Sequence, residues 1–448
     1  MKLKQILLSS IAFIVIGCNG QADKSSQNQV LTAGNDNDDI IFHLTTADQS
    51  VLFQQQPLET TLFEQNDLPS IEISEQISFQ EIDGFGYSLT GGSAELINAM
   101  STTARKSLLN ELFGTGQNDI GVSYLRISLG ASDLDSKVFS YNDLPLGETD
   151  SLLEKFSIAE DRKNLIPVLK QILAINPQIK IMASPWSAPT WMKTNNASKG
   201  GGLKPEYYSV YAQYFIKYIQ AMMQEGITID AITVQNEPLH PGNNPSLYME
   251  AEDQANFVKN HLGPEFKKAN ITTKIIIYDH NADRPDYPIT ILDDVDAKQY
   301  IDGSAFHLYG GKIEALNLVH DKHPEKNIYF TEQWIGAPGN FPEDIKFHIR
   351  ELIIGATRSW SKTVLEWNLA ADPNSQPHTE GGCTRCLGAI TIDGDKIKRN
   401  PAYYIIAHAS KYVRPGSLRI ASNSSADLPN VAFKTPNGDI AVIVLINS

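Results

Sequence analysis

The chain has 448 residues and carries 37 Lys and Arg against 52 Asp and Glu, which gives a formal net charge of −15. Hydrophobic residues make up 42% of it and charged residues 20%, so it has ample apolar surface to bury, and intrinsic disorder is excluded as its main state. The negative charge, without a basic cluster, argues against binding nucleic acid or anionic lipid through phosphate contacts. The length allows three domains of about 150 residues, or one α/β barrel of about 250 residues with a smaller domain beside it. We expect an uncharged ligand.

The N-terminal residues have the features of an export signal. Lys2 and Lys4 precede an apolar run over residues 6–16, and Cys18 follows shortly after it. This order is typical of a bacterial lipoprotein signal peptide over residues 1–17, whose removal leaves Cys18 to carry the lipid that tethers an exported protein to a bacterial membrane. A membrane anchor and plain secretion are the alternatives, but the run is well below the ~20 residues that span a bilayer.

The segment after Cys18 is rich in Gln, Asn, Ser and Asp. Residues 19–39 are therefore expected to form a flexible stalk, within a linker region that we place over residues 18–50. Contact with a membrane is expected only through the lipid on Cys18.

Two of the three cysteines form a C-x-x-C pair, Cys383 and Cys386. In an exported chain these thiols are expected to be oxidised, so a local disulfide is predicted. A zinc site is the alternative, and it requires two further ligands. His378 lies nearby, but no second Cys or His follows it at the spacing of a zinc ribbon. We expect no metal.

From residue 82 onward, short β-rich runs that end in polar or aromatic residues alternate with helical stretches. The pattern predicts an α/β fold with a closed (β/α)8 TIM barrel over residues 81–410, because eight strand–helix units favour closure over an open doubly wound sheet. No G-x-G-x-x-G motif follows the first strand, so no dinucleotide cofactor is expected. The predicted strands are residues 82–91, 123–130, 179–187, 231–238, 274–281, 303–310, 327–334 and 363–370, and the predicted helices include 161–177, 205–226, 254–270 and 342–360.

Both ends of the chain outside the barrel contain short alternating strands. Residues 51–80 and 411–448 are predicted to combine into one side β-sandwich. The apolar run over residues 440–446 reads as a buried strand that stops at Asn447 and Ser448, so one sheet edge is expected to lack a partner. This pattern indicates that closing strands are missing after Ser448, and a domain that ends there naturally is the alternative.

The residues that end the predicted strands carry the chemistry, because the active site of a TIM barrel lies at its C-terminal face. Glu237 and Glu332 each follow an apolar run, on strands four and seven, where a charged side chain cannot enter the core without a partner. Two carboxylates among aromatic residues, without a metal-ligand cluster or a Ser/Cys nucleophile elbow, are typical of glycosidic bond cleavage. The other residues expected to contact a sugar are Arg126, Asp133, Trp186, Asn236, His307, Tyr309, Trp334 and Trp367.

Taken singly, these residues also have structural interpretations. Glu237 could cap the helix after Pro238, and Glu332 could pair with a neighbouring cation in the barrel. Arg126 could form a structural salt bridge, and the tryptophans could be plain core. Their occurrence together at successive strand ends of one barrel favours a site.

Several motifs resemble glycoside hydrolase family 30, one of the retaining (β/α)8 hydrolases of clan A. The motifs are Asp83-Gly84-Phe85-Gly86, Tyr124-Leu125-Arg126-Ile127-Ser128 with Asp133, the run over residues 184–195, Asn236-Glu237-Pro238 with Glu332, and Trp367-Asn368-Leu369. The resemblance covers residues 60–448 and implies a barrel with a side β-sandwich built from both chain ends. It implies that Glu237 is the acid/base and Glu332 the nucleophile. It also implies that the cleaved sugar is held by Arg126, Asp133, Trp186, Asn236, His307, Tyr309 and Trp367.

That family includes glucosylceramidases and endo-β-1,6-glucanases. The segment over residues 381–386, which contains both paired cysteines, is similar to bacterial and fungal β-1,6-glucanase members and departs from the lysosomal lipid-cleaving ones. The resemblance therefore implies hydrolysis of β-1,6-linked glucan, internally or from a chain end. We expect the protein to be a monomer. A glucosylceramidase, a β-xylosidase and a non-catalytic glycan-binding surface lipoprotein are the alternatives.

Two carboxyl groups about 5 Å apart leave no room for an attacking water, so a double displacement is expected. Glu332 is expected to stay ionised beside Arg126 and Tyr309, while burial and the charge of Glu332 are expected to raise the pKa of Glu237. Asn236 is expected to form a hydrogen bond with the 2-hydroxyl of the sugar.

Overall fold

The structure is a computed structural model that describes residues 13–18, 40–57 and 69–446. Its strands are β1 (Phe13–Cys18), β2 (Ile40–Leu44), β3 (Gln54–Gln55), β4 (Ile73–Glu81), β5 (Gly84–Leu89), β6 (Tyr124–Ser128), β7 (Lys180–Ser184), β8 (Ala231–Thr233), β9 (Lys274–Asn281), β10 (Ile301–His307), β11 (Asn327–Glu332), β12 (Ile335–Gly336), β13 (Ser361–Asn368), β14 (Ala370–Ala371), β15 (Cys386–Leu387), β16 (Ile390–Asp393), β17 (Lys396–Arg399), β18 (Leu418–Ser422), β19 (Asn430–Lys434) and β20 (Ile440–Leu445). Its α-helices are α1 (Gly91–Ala99), α2 (Thr102–Phe113), α3 (Leu165–Ile175), α4 (Tyr208–Gln224), α5 (Ala251–Phe257), α6 (Gly263–Lys268), α7 (Asp286–Asp293), α8 (Val295–Lys298), α9 (Ala315–Lys322), α10 (Phe341–His348) and α11 (Pro401–Ser410). Short 3₁₀ turns lie at Thr190–Met192 and Pro205–Tyr207, and π-helical turns at Val258–Leu262 and Ile349–Ala356.

Eight parallel strands close into a barrel in the order β5-β6-β7-β8-β9-β10-β11-β13. Each of the eight predicted strand runs overlaps one of these strands, so the predicted TIM barrel is confirmed. The alternation along β6 shows how the sequence fits the barrel. Leu125 and Ile127 belong to the main core that the helices share, whereas Tyr124 packs with Met182 and Ala231 in a separate cluster contributed by barrel strands.

The predicted helix over residues 205–226 is observed as a 3₁₀ turn followed by α4. Pro205 begins it, and Gly226 follows its end with φ +79°, a conformation that favours glycine. Tyr211, Phe215 and Tyr218 recur four and three positions apart and form an aromatic stripe on this helix, and all three are fully buried. The stripe therefore packs as core, as its helical spacing predicts.

Strands from both chain ends form the side domain. They are hydrogen-bonded into one sheet of seven in the order β3-β2-β1-β20-β19-β18-β4. Along β19, Val431 and Phe433 join the main core, while Ala432 faces a second apolar cluster with Phe42 and Val442. The sheet therefore connects the barrel to a small core of its own.

Three expectations for the chain ends differ from the structure. β2 lies inside the region 18–50 that we predicted as a linker, and Phe42 and Leu44 are buried, so the folded part begins earlier than expected. β1 occupies residues 13–18, and cleavage before Cys18 would remove all of this strand except Cys18. Because β1 pairs with β20, the unpaired edge expected for β20 is not observed.

Residues 1–12, 19–39, 58–68 and 447–448 lie outside the described residues. They carry most of the predicted signal peptide and all of the predicted stalk over residues 19–39. Among the described residues, no helix is both long and apolar enough to cross a membrane.

Two small sheets extend the C-terminal end of the barrel. β12 pairs with β15, so the segment after β11 is joined to the segment that contains Cys386. β14, β16 and β17 form a second sheet, which begins directly after β13. These connections place the C-x-x-C segment beside the strand ends, where the predicted site residues meet.

Candidate active site

A pocket of about 350 Å³ opens at the C-terminal ends of the barrel strands. Both predicted catalytic carboxylates line it, Glu237 after β8 and Glu332 at the end of β11. An oxygen of each lies within 4.8 Å of the other, and both residues are largely buried, at 7% and 5% exposure. The two carboxylates therefore face one sugar-sized space, with the separation that retaining glycosidases use. The pocket is lined by Asp133, Trp186, Glu237, His240, Asn243, His280, Asn281, Tyr309, Glu332, Trp334, Trp367, Cys383 and Cys386.

Glu332 accepts hydrogen bonds from two of the predicted residues. The Arg126 Nη1 donates to its Oε2, and the Tyr309 hydroxyl donates to its Oε1 at 2.9 Å. The guanidinium of Arg126 also lies over the Trp186 ring, with 4.8 Å from Cζ to the ring centroid. These contacts fix the orientation of the carboxylate and stabilise its charge.

A further buried carboxylate, Asp279 on β9, joins the two halves of the site. Its Oδ2 accepts from Arg126 Nη2 at 2.8 Å, and its Oδ1 lies 3.0 Å from His307 Nε2. The other ring nitrogen of His307, Nδ1, lies 3.2 Å from Glu237 Oε1 and 3.9 Å from Glu332 Oε1. His307 thus bridges Asp279 to Glu237, while Arg126 bridges Asp279 to Glu332.

This network shifts the pKa of both bridging partners. Burial opposes the charged form of His307, but the carboxylates of Glu332, Asp279 and Glu237 outweigh it and raise its pKa to about 9. Burial likewise opposes ionisation of Asp279, yet Arg126 and His307 hold its pKa well below the usual range. The imidazolium of His307 is therefore the expected form at neutral pH.

The two facing carboxylates shift in directions opposite to our prediction. Burial would raise the pKa of Glu237, but the hydrogen bond and positive charge of His307 lower it overall. Burial raises the pKa of Glu332, helped by the charges of Glu237 and Asp279 and opposed by those of His307 and Arg126. The difference arises because the prediction did not include a charged histidine in contact with Glu237.

The backbone at the strand ends adopts an uncommon conformation. Glu237, Tyr278 and Asp279 have φ values of +45°, +71° and +63°. The amide of Glu237 donates to the carbonyl of Asp279 at 2.9 Å, and this hydrogen bond joins the C-terminal ends of the neighbouring barrel strands β8 and β9. Left-handed non-glycine residues are costly and concentrate at functional sites, and here they include Glu237 of the pocket and Asp279 of the charge network behind it.

One wall of the pocket is aromatic. The Trp186 and Trp367 rings stack with centroids 5.3 Å apart, and Trp334 packs against the same cluster. The predicted disulfide between Cys383 and Cys386 is confirmed and belongs to this wall. Stacked indoles offer an apolar surface suited to the face of a pyranose ring.

Asp133 supplies a carboxylate on the same wall. The Cys383 amide donates to its Oδ2 at 3.2 Å. Burial, together with the negative charge of Glu332, raises the pKa of Asp133 to about 7. Asp133 therefore changes between donor and acceptor near neutral pH.

Three predicted sugar contacts lie differently from expectation. Arg126 and His307 are fully buried and lie behind the two carboxylates rather than against the open pocket. Asn236 is 4% exposed, and its Oδ1 accepts from Arg126 Nη2 at 2.6 Å, which leaves its amide N–H groups for a ligand. Arg126 and His307 thus influence a substrate through Glu237 and Glu332.

No residue at the end of β9, the fifth barrel strand, was predicted to belong to the site. That strand ends with Asp279, His280 and Asn281, and the first joins the charge network while the other two line the pocket. The predicted strand over residues 274–281 already ended with these polar side chains, so applying the strand-end rule to it would have identified them.

Glu237, His307 and Glu332 are also the group of possible metal ligands found among the described residues. Their ligand atoms already take part in the hydrogen bonds with Arg126, Tyr309 and Asp279 given above. The guanidinium on Glu332 and the imidazolium on Glu237 would both repel a cation. The arrangement suits proton transfer and nucleophilic attack better than metal binding.

Comparisons with known proteins give a consistent result. The family model described as the glycosyl hydrolase family 30 TIM-barrel domain matches residues 82–413, and the model of the beta sandwich domain of the same family matches residues 416–448. An endo-1,6-beta-D-glucanase of Neurospora crassa is 33% identical over 386 residues, which is 82% of this chain and 79% of that protein.

Two further proteins are similar to this chain. The lysosomal acid glucosylceramidase of Mus musculus is 30% identical, covering 83% of this chain and 76% of that protein. A solved structure entitled "The endo-beta1,6-glucanase BT3312" has a TM-score of 0.84 and 34% identity, covering 98% of this chain and 93% of that one.

Proposed function

The chain belongs to glycosyl hydrolase family 30, and from this premise we propose that it is an endo-β-1,6-glucanase that works by double displacement. The observation that carries the mechanism is the pair Glu237 and Glu332, whose oxygens lie within 4.8 Å across one aromatic-walled pocket. The substrate rests on the similarity to endo-1,6-beta-D-glucanases, which matches this chain over 82% of its length.

In the first step Glu332 attacks the anomeric carbon. The hydrogen bonds from Arg126 and Tyr309 orient the carboxylate toward that carbon, and the charge of Arg126 opposes the rise in the pKa of Glu332 that burial causes. A covalent glycosyl-enzyme forms as the bond from C1 to the departing oxygen breaks. Trp186 and Trp367 hold the sugar ring by stacking, and Asn236 offers an amide to its 2-hydroxyl.

Glu237 supplies the proton to the departing oxygen. In the free enzyme that proton is held on His307, whose Nδ1 lies 3.2 Å from Glu237 Oε1. Transfer along this hydrogen bond gives the acid form of Glu237 without a proton from solvent. Once the charge of Glu332 is lost in the ester, Glu237 ionises more readily and can deprotonate the attacking water in the second step.

Replacement of the nucleophile tests the mechanism. Glu332→Gln is expected to lower kcat on linear β-1,6-glucan by about 10⁴-fold or more, because the amide cannot form the ester, while glucan binding persists. Glu366→Gln is the matched control, since Glu366 is a buried barrel glutamate that pairs with His348 outside the pocket. If wild type and Glu332→Gln both bind glucan and neither hydrolyses it, the glycan-binding alternative holds instead.

Substrate choice is tested by comparing β-1,6-glucan with β-1,3-glucan, xylan and glucosylceramide. We expect turnover of the β-1,6-linked polymer, with oligosaccharides of several lengths in the mass spectrum of the early products. Glucose as the sole early product indicates cleavage from chain ends. Release from xylan or from glucosylceramide alone contradicts the proposed substrate.

We also propose that the protein is an exported monomer that is lipid-anchored through Cys18. The support is the sequence order of Lys2, Lys4, the apolar run over residues 6–16 and the cysteine. Cys18→Ser is expected to abolish incorporation of labelled palmitate and to keep the protein out of the detergent-extracted membrane fraction. An unprocessed N-terminus on the wild-type protein contradicts this assignment and favours a folded strand at Phe13–Cys18.

A further inference from the structure

The pocket contains a buried histidine, one of whose ring nitrogens is unpaired among the described residues. His280 lies on β9, lines the pocket and is only 7% exposed. Within the part of the chain that the structure describes, its Nδ1 has no hydrogen-bond partner. Buried polar groups are nearly always hydrogen-bonded, because an unpaired one loses its hydration without compensation. The position of His280 therefore indicates that its partner is a ligand.

The imidazole of His280 is held in place by neighbouring rings. Its centroid lies 5.9 Å from that of Tyr278 and 6.4 Å from that of His307, with interplanar angles of 48° and 74°. The backbone on its N-terminal side is held by the hydrogen bond that the Glu237 amide donates to the Asp279 carbonyl. The ring is therefore pre-organised before any ligand arrives.

His280 lies on the acid/base side of the pocket. Its largest electrostatic interaction is with Glu237, and those with His307, His240 and Asp283 are smaller. The Asn243 side chain, which lines the same pocket, is 3.4 Å from Glu237 Oε2. The contacts of Glu332 are instead with Arg126 and Tyr309. Because the acid must face the departing oxygen, the space near Glu237 is where the leaving sugar lies.

We propose that His280 binds a hydroxyl group of the sugar on the leaving-group side and so forms the first acceptor subsite. This inference rests on the proposed function and adds to it the residue that recognises the second sugar. Burial lowers the pKa of His280 to about 4, so at neutral pH the ring offers one N–H donor and one nitrogen acceptor. A sugar hydroxyl can accept from the N–H or donate to the other nitrogen, so it can pair with either side of the ring.

The subsite also acts in the second half of the reaction. A sugar bound there can present its hydroxyl to the glycosyl-enzyme in place of water. The C1–O bond to Glu332 then breaks, a C1–O bond to the acceptor oxygen forms, and the hydroxyl proton passes to Glu237. The rate of this transfer therefore reports on occupancy of the subsite, separately from attack by water.

The test uses the full-length protein trapped as its intermediate. Treatment with 2,4-dinitrophenyl 2-deoxy-2-fluoro-β-glucoside labels the nucleophile, and the return of activity is then followed with and without a β-1,6-linked glucose disaccharide. The proteins are the wild type, His280→Ala, His280→Asn and the control His261→Ala. His261 is a partly exposed histidine that contacts Ser209 outside the pocket.

We expect the disaccharide to accelerate reactivation of the wild type and of His261→Ala. In His280→Ala we expect the ratio of the reactivation rate with the disaccharide to the rate with water alone to fall about ten-fold. The loss of one well-placed hydrogen bond has an effect of this size. His280→Asn, which keeps a donor and an acceptor, is expected to recover part of that loss.

Two results overturn the subsite. One is a wild type whose reactivation does not respond to the disaccharide, and the other is a His280→Ala ratio equal to that of the control. Failure of the fluorosugar to label Glu332, checked by peptide mass spectrometry, is a distinct result. It overturns the proposed function, and the subsite with it.

Discussion

At the scale of single residues, the site is a buried charge network in which negative charge exceeds positive. Arg126 and His307 are cationic, while Asp279, Glu237 and Glu332 are anionic when fully ionised. Burial explains why Glu332 holds a proton more tightly than an isolated carboxyl, and the charges of Glu237 and Asp279 add to this effect while those of His307 and Arg126 oppose it. Asp279 is the residue on which both cations depend, although it does not reach the open pocket.

Asp279→Asn is expected to lower kcat by about 10²- to 10³-fold, because it removes the counter-charge that holds both Arg126 and His307. The pKa of His307, raised to about 9 by its carboxylate neighbours, should fall in the variant. The alkaline limb of the kcat profile is therefore expected to move to lower pH. The measurement is kcat from pH 5 to 10 on a variant whose fold is checked by circular dichroism.

Asp302→Asn serves as the control for that experiment. Asp302 also accepts hydrogen bonds from a tyrosine and an asparagine of the barrel, Tyr329 and Asn327, but it lies at the start of β10, away from the pocket. The Asp302→Asn substitution is expected to lower the free energy of unfolding without moving the pH profile of kcat. An unchanged alkaline limb in Asp279→Asn would show that His307 does not supply the proton.

At the scale of elements, the segments after the strands hold the pocket together. The segment over residues 379–386 is attached to Asp133 twice, because the Thr379 amide donates to its carbonyl at 2.9 Å and the Cys383 amide to its carboxylate. Gly382 permits this approach, since a Cβ there would lie 2.3 Å from the Asp133 carbonyl oxygen. The disulfide closes the same segment.

Reduction of the disulfide is expected to raise KM for β-1,6-glucan by about three- to ten-fold with a smaller effect on kcat. The reason is that the hydrogen bond from the Cys383 amide lowers the pKa of Asp133. When this amide is no longer ordered, the pKa rises and a smaller fraction of Asp133 is ionised at pH 7. Kinetics before and after reductant, with thiols counted, provide the measurement. The double variant Cys383→Ser, Cys386→Ser should not respond to reductant, and an unchanged KM in fully reduced wild type refutes the role of the segment.

A second connection joins the segment after β6 to helix α4 through a buried carboxyl. The Tyr141 hydroxyl donates to Asp161 Oδ2 at 2.6 Å, and the Tyr141 ring stacks on Tyr218 at 5.3 Å. Burial raises the pKa of Asp161 from 3.8 to about 8. The folded state therefore prefers the protonated form of this group.

Stability is expected to depend on pH through Asp161. Its contribution is fully present below pH 3.8, where both states are protonated, and is lost as pH rises to about 8, because only the unfolded state ionises freely. Asp161→Asn, which keeps an acceptor for Tyr141, should remove this loss. Relative to wild type, its free energy of unfolding is expected to be higher by a few kcal/mol at pH 8 and nearly equal at pH 4, as measured by urea denaturation. Parallel pH curves for the two proteins contradict the prediction.

At the scale of the whole molecule, the side sheet is fastened to the barrel by polar as well as apolar contacts. The Arg358 guanidinium, at the end of the barrel helix before β13, donates to the Asn430 carbonyl at 2.6 Å and to the Ser422 hydroxyl at 2.8 Å. Arg419 of β18 lies over the Phe79 ring, 3.5 Å from Cζ to the centroid. The two domains are therefore expected to unfold together.

Arg358→Ala is expected to lower the free energy of unfolding by about 2 kcal/mol, because it leaves buried carbonyl groups of the side sheet without a donor. Its kcat/KM should stay close to that of wild type, since the residue is remote from the pocket. Arg162→Ala is the control, because Arg162 forms an exposed ion pair with Glu225, of the kind usually worth less than ~1 kcal/mol. Equal losses in both variants, measured by urea denaturation, would contradict a special role for Arg358.

The sequence by itself determined the architecture and most of the pocket wall. Strand runs with period-two burial, ending in polar residues, are local features, and they identified Glu237, Glu332 and the three tryptophans. The C-x-x-C pair was equally local, because three residues of separation suffice to bring Cys383 and Cys386 together. The family motifs extended this to the chemistry of the two glutamates.

Only the tertiary structure decided how those groups act on one another. Whether Glu237 or Glu332 binds a proton more tightly depends on His307 and Asp279. These two residues lie on β10 and β9, far from both glutamates in the sequence. The unpaired nitrogen of His280 is equally a product of packing. Electrostatic energy depends on distances between atoms far apart in the chain and on their burial, and a linear pattern of residues contains neither.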